Sequence, residues 1–133
     1  NSFNNNRSQL IKTERNEIIL DAYNANPSSM KISINSFINI KSNMEKTLIL
    51  GDMLELGKKS KILHLELINF LKKNKIRNCM LVGSIFNKID CAYLKFKNKK
   101  DLEKYLLRRA VNKNIILIKG SRKMKLETLK ELL

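Results

Sequence analysis

Ile18-Ile19-Leu20-Asp21-Ala22-Tyr23-Asn24-Ala25-Asn26-Pro27 decides how the rest of the sequence is read. Three aliphatic residues, two of them β-branched, end at an acidic, Asn-rich turn, so Ile18 to Leu20 is a short buried strand. Asn26 is a good helix cap and Pro27 suits the first helical position, where its missing N–H costs nothing. Beyond it Met30, Ile34, Phe37 and Ile38 fall at i, i+4, i+7 and i+8, one face of a helix. The stretch is therefore a strand, a turn and a helix.

The same unit recurs outward from it. Thr47 to Leu50, Cys79 to Val82 and Ile115 to Ile118 are further aliphatic runs too short for helices and closed by turn residues. Leu63, Leu67, Phe70 and Leu71 mark a helix after Ser60. Leu102, Tyr105 and Leu106 mark a weaker one after Asp101, and Leu126, Leu129 and Leu133 a final one. Tyr93 to Phe96 fits an extra short strand in the otherwise illegible region Ile85 to Lys100. Strand and helix alternate, which predicts an α/β fold: a Rossmann-like, mostly parallel sheet with helices on both faces. With 133 residues there is one core. Residues 1–9 are polar and read as the end of a linker from something upstream, and residues 10–133 as the domain.

Composition narrows the class. Hydrophobic residues make up 43% of the chain, and no apolar run approaches the roughly 18 residues of a membrane span. The polar start does not read as a secretory signal. Cys79 and Cys91 form neither a C-x-x-C nor a metal spacing, which suits a reducing, cytoplasmic setting. His64 is the sole histidine, so a His-rich metal site is excluded; one residue off the apolar face of its helix, it reads as a partly buried polar residue. The net charge of +15 raises the alternative of a basic nucleic-acid-binding module. Lys is spread over every segment without interleaved aromatics, which favours compositional drift over that alternative.

In an open parallel sheet, ligands bind beyond the carboxyl ends of the strands. There the chain places Asp21 to Pro27, then Gly51-Asp52-Met53-Leu54-Glu55-Leu56-Gly57, then Gly83-Ser84, then Lys119-Gly120-Ser121-Arg122. Each loop alone is ambiguous. Asp21 before Asn and Pro fits plain turn and cap chemistry. Asp52 and Glu55 fit acid/base or Mg²⁺ work, or a solvated turn. Lys119 and Arg122 fit a phosphate or carboxylate clamp, or a basic turn.

Taken together, Asp21 to Met30, Leu50 to Gly57 and Lys119 to Glu127 resemble, in order and spacing, the C-terminal domain of the Mur ligases, in particular the member that adds D-alanyl-D-alanine to UDP-N-acetylmuramoyl-tripeptide. The resemblance runs from Asn6 to Leu133. It implies the closing domain of a three-domain, ATP-dependent, amide-forming enzyme of peptidoglycan precursor synthesis. The N-terminal domain and the central domain would be other parts of the same enzyme. The central domain would bring the phosphate loop, absent here as a G-x-x-x-x-G-K-[ST] string, and the groups that hold Mg²⁺. By position, the resemblance implies Arg7, Asp21, Asn24 and Asn26 for ATP, with Asp21 on the ribose. It implies Asp52, Lys119, Ser121 and Arg122 for the dipeptide, and no catalytic or metal-binding residue within this domain. Lys123 departs from the family pattern, where a small residue is common. Another Mur ligase or a folylpolyglutamate synthase shares the closing domain and is the nearer alternative.

Overall fold

The structure, a computed structural model, describes residues 8–133. It contains six strands, β1 (Gln9–Lys12), β2 (Glu17–Asp21), β3 (Glu45–Gly51), β4 (Cys79–Val82), β5 (Leu94–Phe96) and β6 (Asn114–Lys119). They form one sheet in the order β1-β2-β6-β3-β4-β5. All neighbours are parallel except β1, which runs antiparallel to β2. Four helices, α1 (Pro27–Ile38), α2 (Ser60–Lys73), α3 (Ser84–Asn87) and α4 (Lys99–Arg108), connect the parallel strands.

Alternation of side chains along each strand divides the core in two. Ile19, Leu48, Leu50, Leu81, Ile115 and Leu117 pack with Met30, Ile34 and Phe37 of α1 and Leu67, Ile68 and Leu71 of α2. Ile18, Leu20, Ile49, Val82, Ile116 and Ile118 pack with Leu102 and Leu106 of α4 and with Leu126 and Leu129. The expected sheet with helices on both faces is present. Burial of each large aliphatic or aromatic side chain contributes about 1.5–3 kcal/mol. Continuous burial on both faces explains why the inner strands read as uninterrupted aliphatic runs.

Several elements differ from the sequence reading. Gln9 opens an unforeseen edge strand, whose Leu10 is 63% exposed and so carries no burial signal. The last segment is not an α-helix: Leu126–Leu132 is 3₁₀, preceded by Lys125 in the left-handed region at φ 51°. Spacing of three between Leu126 and Leu129 matches the three residues per turn of that helix. The buried stripe of α2 is His64, Leu67, Ile68 and Leu71, so His64 lies in the core rather than beside it. Helix α4 is capped by Asn98, whose side chain accepts from the Asp101 amide, rather than starting at Asp101. The extra strand expected near Tyr93 is present as β5.

Candidate functional site

Register decides what meets at the carboxyl edge. Asp21 pairs with Lys119, Leu50 with Lys119, and Gly51 with Val82. The loops after β2, β6, β3 and β4 therefore follow one another along one lip, as the sequence pattern requires.

Parity puts Asp21 and Lys119, like Ile19 and Leu117, on the α1 side of the sheet. Lys119 Nζ lies 2.8 Å from Asp21 Oδ2 and donates to the Asn24 carbonyl at 2.9 Å. The pair is almost dry, with side-chain exposures of 2% and 11%. A buried pair of this kind costs desolvation, which further hydrogen bonds must offset. Ser33 Oγ of α1 supplies one, donating to the same Oδ2 at 3.1 Å. Ser33 is a contact that sequence reading missed; its only signal is its place one residue from Ile34 on the inner face of α1.

The rest of that first loop is fixed by α1. Asn26 Oδ1 accepts from the Ser29 amide at 2.8 Å, and Ser29 Oγ accepts from the Asn26 amide at 3.1 Å, a reciprocal cap. Asn24 is exposed on the lip, and Arg7 lies outside the described residues.

Asp52 is 3% exposed, and its two oxygens accept from the amides of Ile85 and Phe86 at 2.9 Å each. It thereby caps α3 and ties the β3 loop to the β4 loop. His64 closes the same loop from below. Its Nε2 accepts from the Met53 amide at 2.9 Å, so Nδ1 carries the proton and meets the Ser60 carbonyl at 2.7 Å, while the ring stands edge-on to Phe86. This is a structural histidine.

The fourth loop lies against the chain's last segment. A Cβ on Gly120 would stand 2.5 Å from Leu126 Cδ1, and one on Gly51 would stand 2.7 Å from Met124 Sδ. Close approach at both positions seats Met124 and Leu126 over the ends of β3 and β6. Ser121 Oγ is buried and has no hydrogen-bond partner among the described residues. Arg122 is exposed, its guanidinium 5.6 Å over the Tyr23 ring, so the first and last loops touch a second time. Lys123 reaches Glu55 at 3.5 Å on the outer surface.

Two clefts lie away from this lip. One cleft, of about 530 Å³, opens between the amino ends of the strands, where Thr47 bonds Asn114 at 2.6 Å; another, of about 650 Å³, lies between β5 and α4. The polar groups described above converge on the carboxyl lip. No group of three or more His, Cys, Asp or Glu side chains gathers among the described residues.

The sequence and the fold are similar to those of known proteins. The sequence profile of the family described as Mur ligase, glutamate ligase domain, matches residues 6–122. The chain belongs to this family. It is 37% identical over 131 residues to the UDP-N-acetylmuramoyl-tripeptide--D-alanyl-D-alanine ligase of Bacillus subtilis (strain 168), covering 91% of the chain and 29% of that protein. Among solved structures, MurF from Acinetobacter baumannii superposes with a TM-score of 0.80 at 26% identity, covering 94% of the chain and 29% of the other. MurF ligase from Thermotoga maritima in complex with ADP gives 0.76 at 25% identity, over 95% and 30%. The chain thus spans less than a third of the length of the curated relatives it matches, and this Mur ligase domain is the part of those enzymes that it corresponds to.

Proposed function

We propose that this chain is the closing domain of an ATP-dependent ligase that joins D-alanyl-D-alanine to UDP-N-acetylmuramoyl-tripeptide in peptidoglycan precursor synthesis. Activity requires the N-terminal and central domains of the same enzyme, and the setting is the cytoplasm. ATP activates the tripeptide carboxylate as an acyl phosphate, and the dipeptide amine displaces phosphate. Such a reaction depends on positioning and on shielding the acyl phosphate from water, the work of a domain that closes. Mg²⁺ is assigned to the central domain.

The observation that carries this reading is the dry Asp21–Lys119 pair at adjoining strand ends, which joins the loop assigned to the nucleotide to the loop assigned to the dipeptide. Asp21 offers a carboxylate to the ribose hydroxyls, with Asn24 exposed beside it and Asn26 shaping the turn as a cap. Arg7 is assigned to the nucleotide by position only. On the dipeptide side, Arg122 is the exposed cation for the terminal carboxylate, and Ser121 Oγ is a polar atom with bonding capacity to spare. Asp52 and Lys119 act from behind, holding the walls through the contacts already described.

Steady-state kinetics of the full-length protein test the reading. Asp21→Ala is expected to raise the KM for ATP about 10- to 100-fold, the equivalent of one lost charged hydrogen bond. Phosphate release should require D-alanyl-D-alanine. Release with a single amino acid or glutamate instead would assign the domain to a sister ligase.

A further inference from the structure

Among the described residues, Asp21 is held by one oxygen only. Oδ2 receives both the Lys119 ammonium at 2.8 Å and the Ser33 hydroxyl at 3.1 Å, whereas no described residue donates to Oδ1. A carboxylate with one fixed oxygen and one open oxygen has a set rotamer and a directed acceptor, an arrangement that preorganises it for a ligand hydroxyl. Lys119 extends the same control to the backbone by holding the Asn24 carbonyl at 2.9 Å, so one ammonium fixes both the acid and the turn that follows it.

We propose that Ser33 and Lys119 are positioning residues for the nucleotide loop, acting through Asp21, and that Lys119 does not bind the incoming dipeptide. The proposal rests on the reading of Asp21 as a nucleotide contact. Two features support it over a role for Lys119 at the dipeptide. The Lys119 side chain is only 2% exposed, and its ammonium's hydrogen bonds go to residues of the nucleotide loop. Ser33 lies on α1, an element that forms no part of the dipeptide loop, yet it converges on the same oxygen.

The full-length protein is assayed with ATP and D-alanyl-D-alanine varied separately. Ser33→Ala is expected to raise the KM for ATP about 3- to 10-fold, with the dipeptide KM and kcat within about twofold of the parent. Ser33→Thr, which keeps the hydroxyl, should restore it. Lys119→Met should shift the same constant and spare the dipeptide KM; should that variant unfold, Ser33→Ala still carries the test. An unchanged ATP KM in Ser33→Ala beside a raised one in Asp21→Ala overturns the proposal alone. A raised dipeptide KM in Lys119→Met, or equal changes in all constants for Ser33→Ala, overturns it too. An unchanged ATP KM in Asp21→Ala removes the underlying reading and the proposal with it.

Discussion

Asp52 and Gly83 share one space: a Cβ on Gly83 would stand 2.2 Å from the Asp52 Cγ, and Gly83 itself sits at φ 132°. Only a glycine lets the β4 loop come close enough for the Ile85 and Phe86 amides to reach that carboxylate. Gly83→Ala must strain the backbone and displace the acid, which should lower stability by about 3 kcal/mol. Asp52→Ala leaves two amides unmatched, one of them buried, and should cost a similar amount. Urea unfolding of each variant measures this. Because both act on one contact, the double variant should lose clearly less than the two single losses added.

Much of this architecture was legible because β3, β4 and β6 are buried on both faces, so Leu48 to Leu50, Cys79 to Val82 and Ile115 to Ile118 stand out as apolar runs. Edge strand β1 gave no such signal, since Leu10 faces solvent. Helix α3 is four residues long and is anchored by Asp52, more than thirty positions earlier, a tertiary contact that local pattern does not carry. The lip followed from strand ends alone. Its internal pairing did not, because Asp21 and Lys119 are 98 positions apart and only the register of β2 on β6 makes them neighbours.

His64 tests whether the core polar contact supports the β3 loop. His64→Leu preserves much of the volume but leaves the buried Met53 amide without its acceptor, and should cost about 2 kcal/mol. His64→Gln, which offers a side-chain oxygen, should recover part of that. Chemical denaturation midpoints decide, and equal losses in the two variants would deny the Met53 contact its importance.

Alkaline pH should weaken the fold through Cys79. Burial, reinforced by nearby Cys91, pushes its thiol well above the ordinary value of 9.0. In the unfolded chain that thiol ionises near 9, while the folded chain keeps its proton. The unfolded state then binds fewer protons, so stability is intact below about pH 9 and declines as pH rises beyond it. The slope from this one group approaches about 1.4 kcal/mol per pH unit. Tyr93, raised by burial and then by the same two cysteines, adds to the decline at higher pH. Unfolding free energies between pH 8 and 10 should fall less steeply in Cys79→Val than in the parent chain; parallel curves would reject this origin.

Arg122 separates the two halves of the lip. Its exposed guanidinium is steadied by the Tyr23 ring 5.6 Å away, and its planar fork can grip a carboxylate through two parallel hydrogen bonds. Lysine keeps the charge but neither the fork nor the stacking, so Arg122→Lys should raise the D-alanyl-D-alanine KM of the full-length protein about 10-fold. Arg122→Ala should raise it by about 30-fold or more. The ATP KM should stay within about twofold in both, since Asp21 and its supports are untouched. A dipeptide whose carboxylate is blocked as a methyl ester sharpens the test: with no carboxylate to grip, parent and Arg122→Ala should use it equally poorly. A further loss in the variant would show that Arg122 acts on something other than that carboxylate.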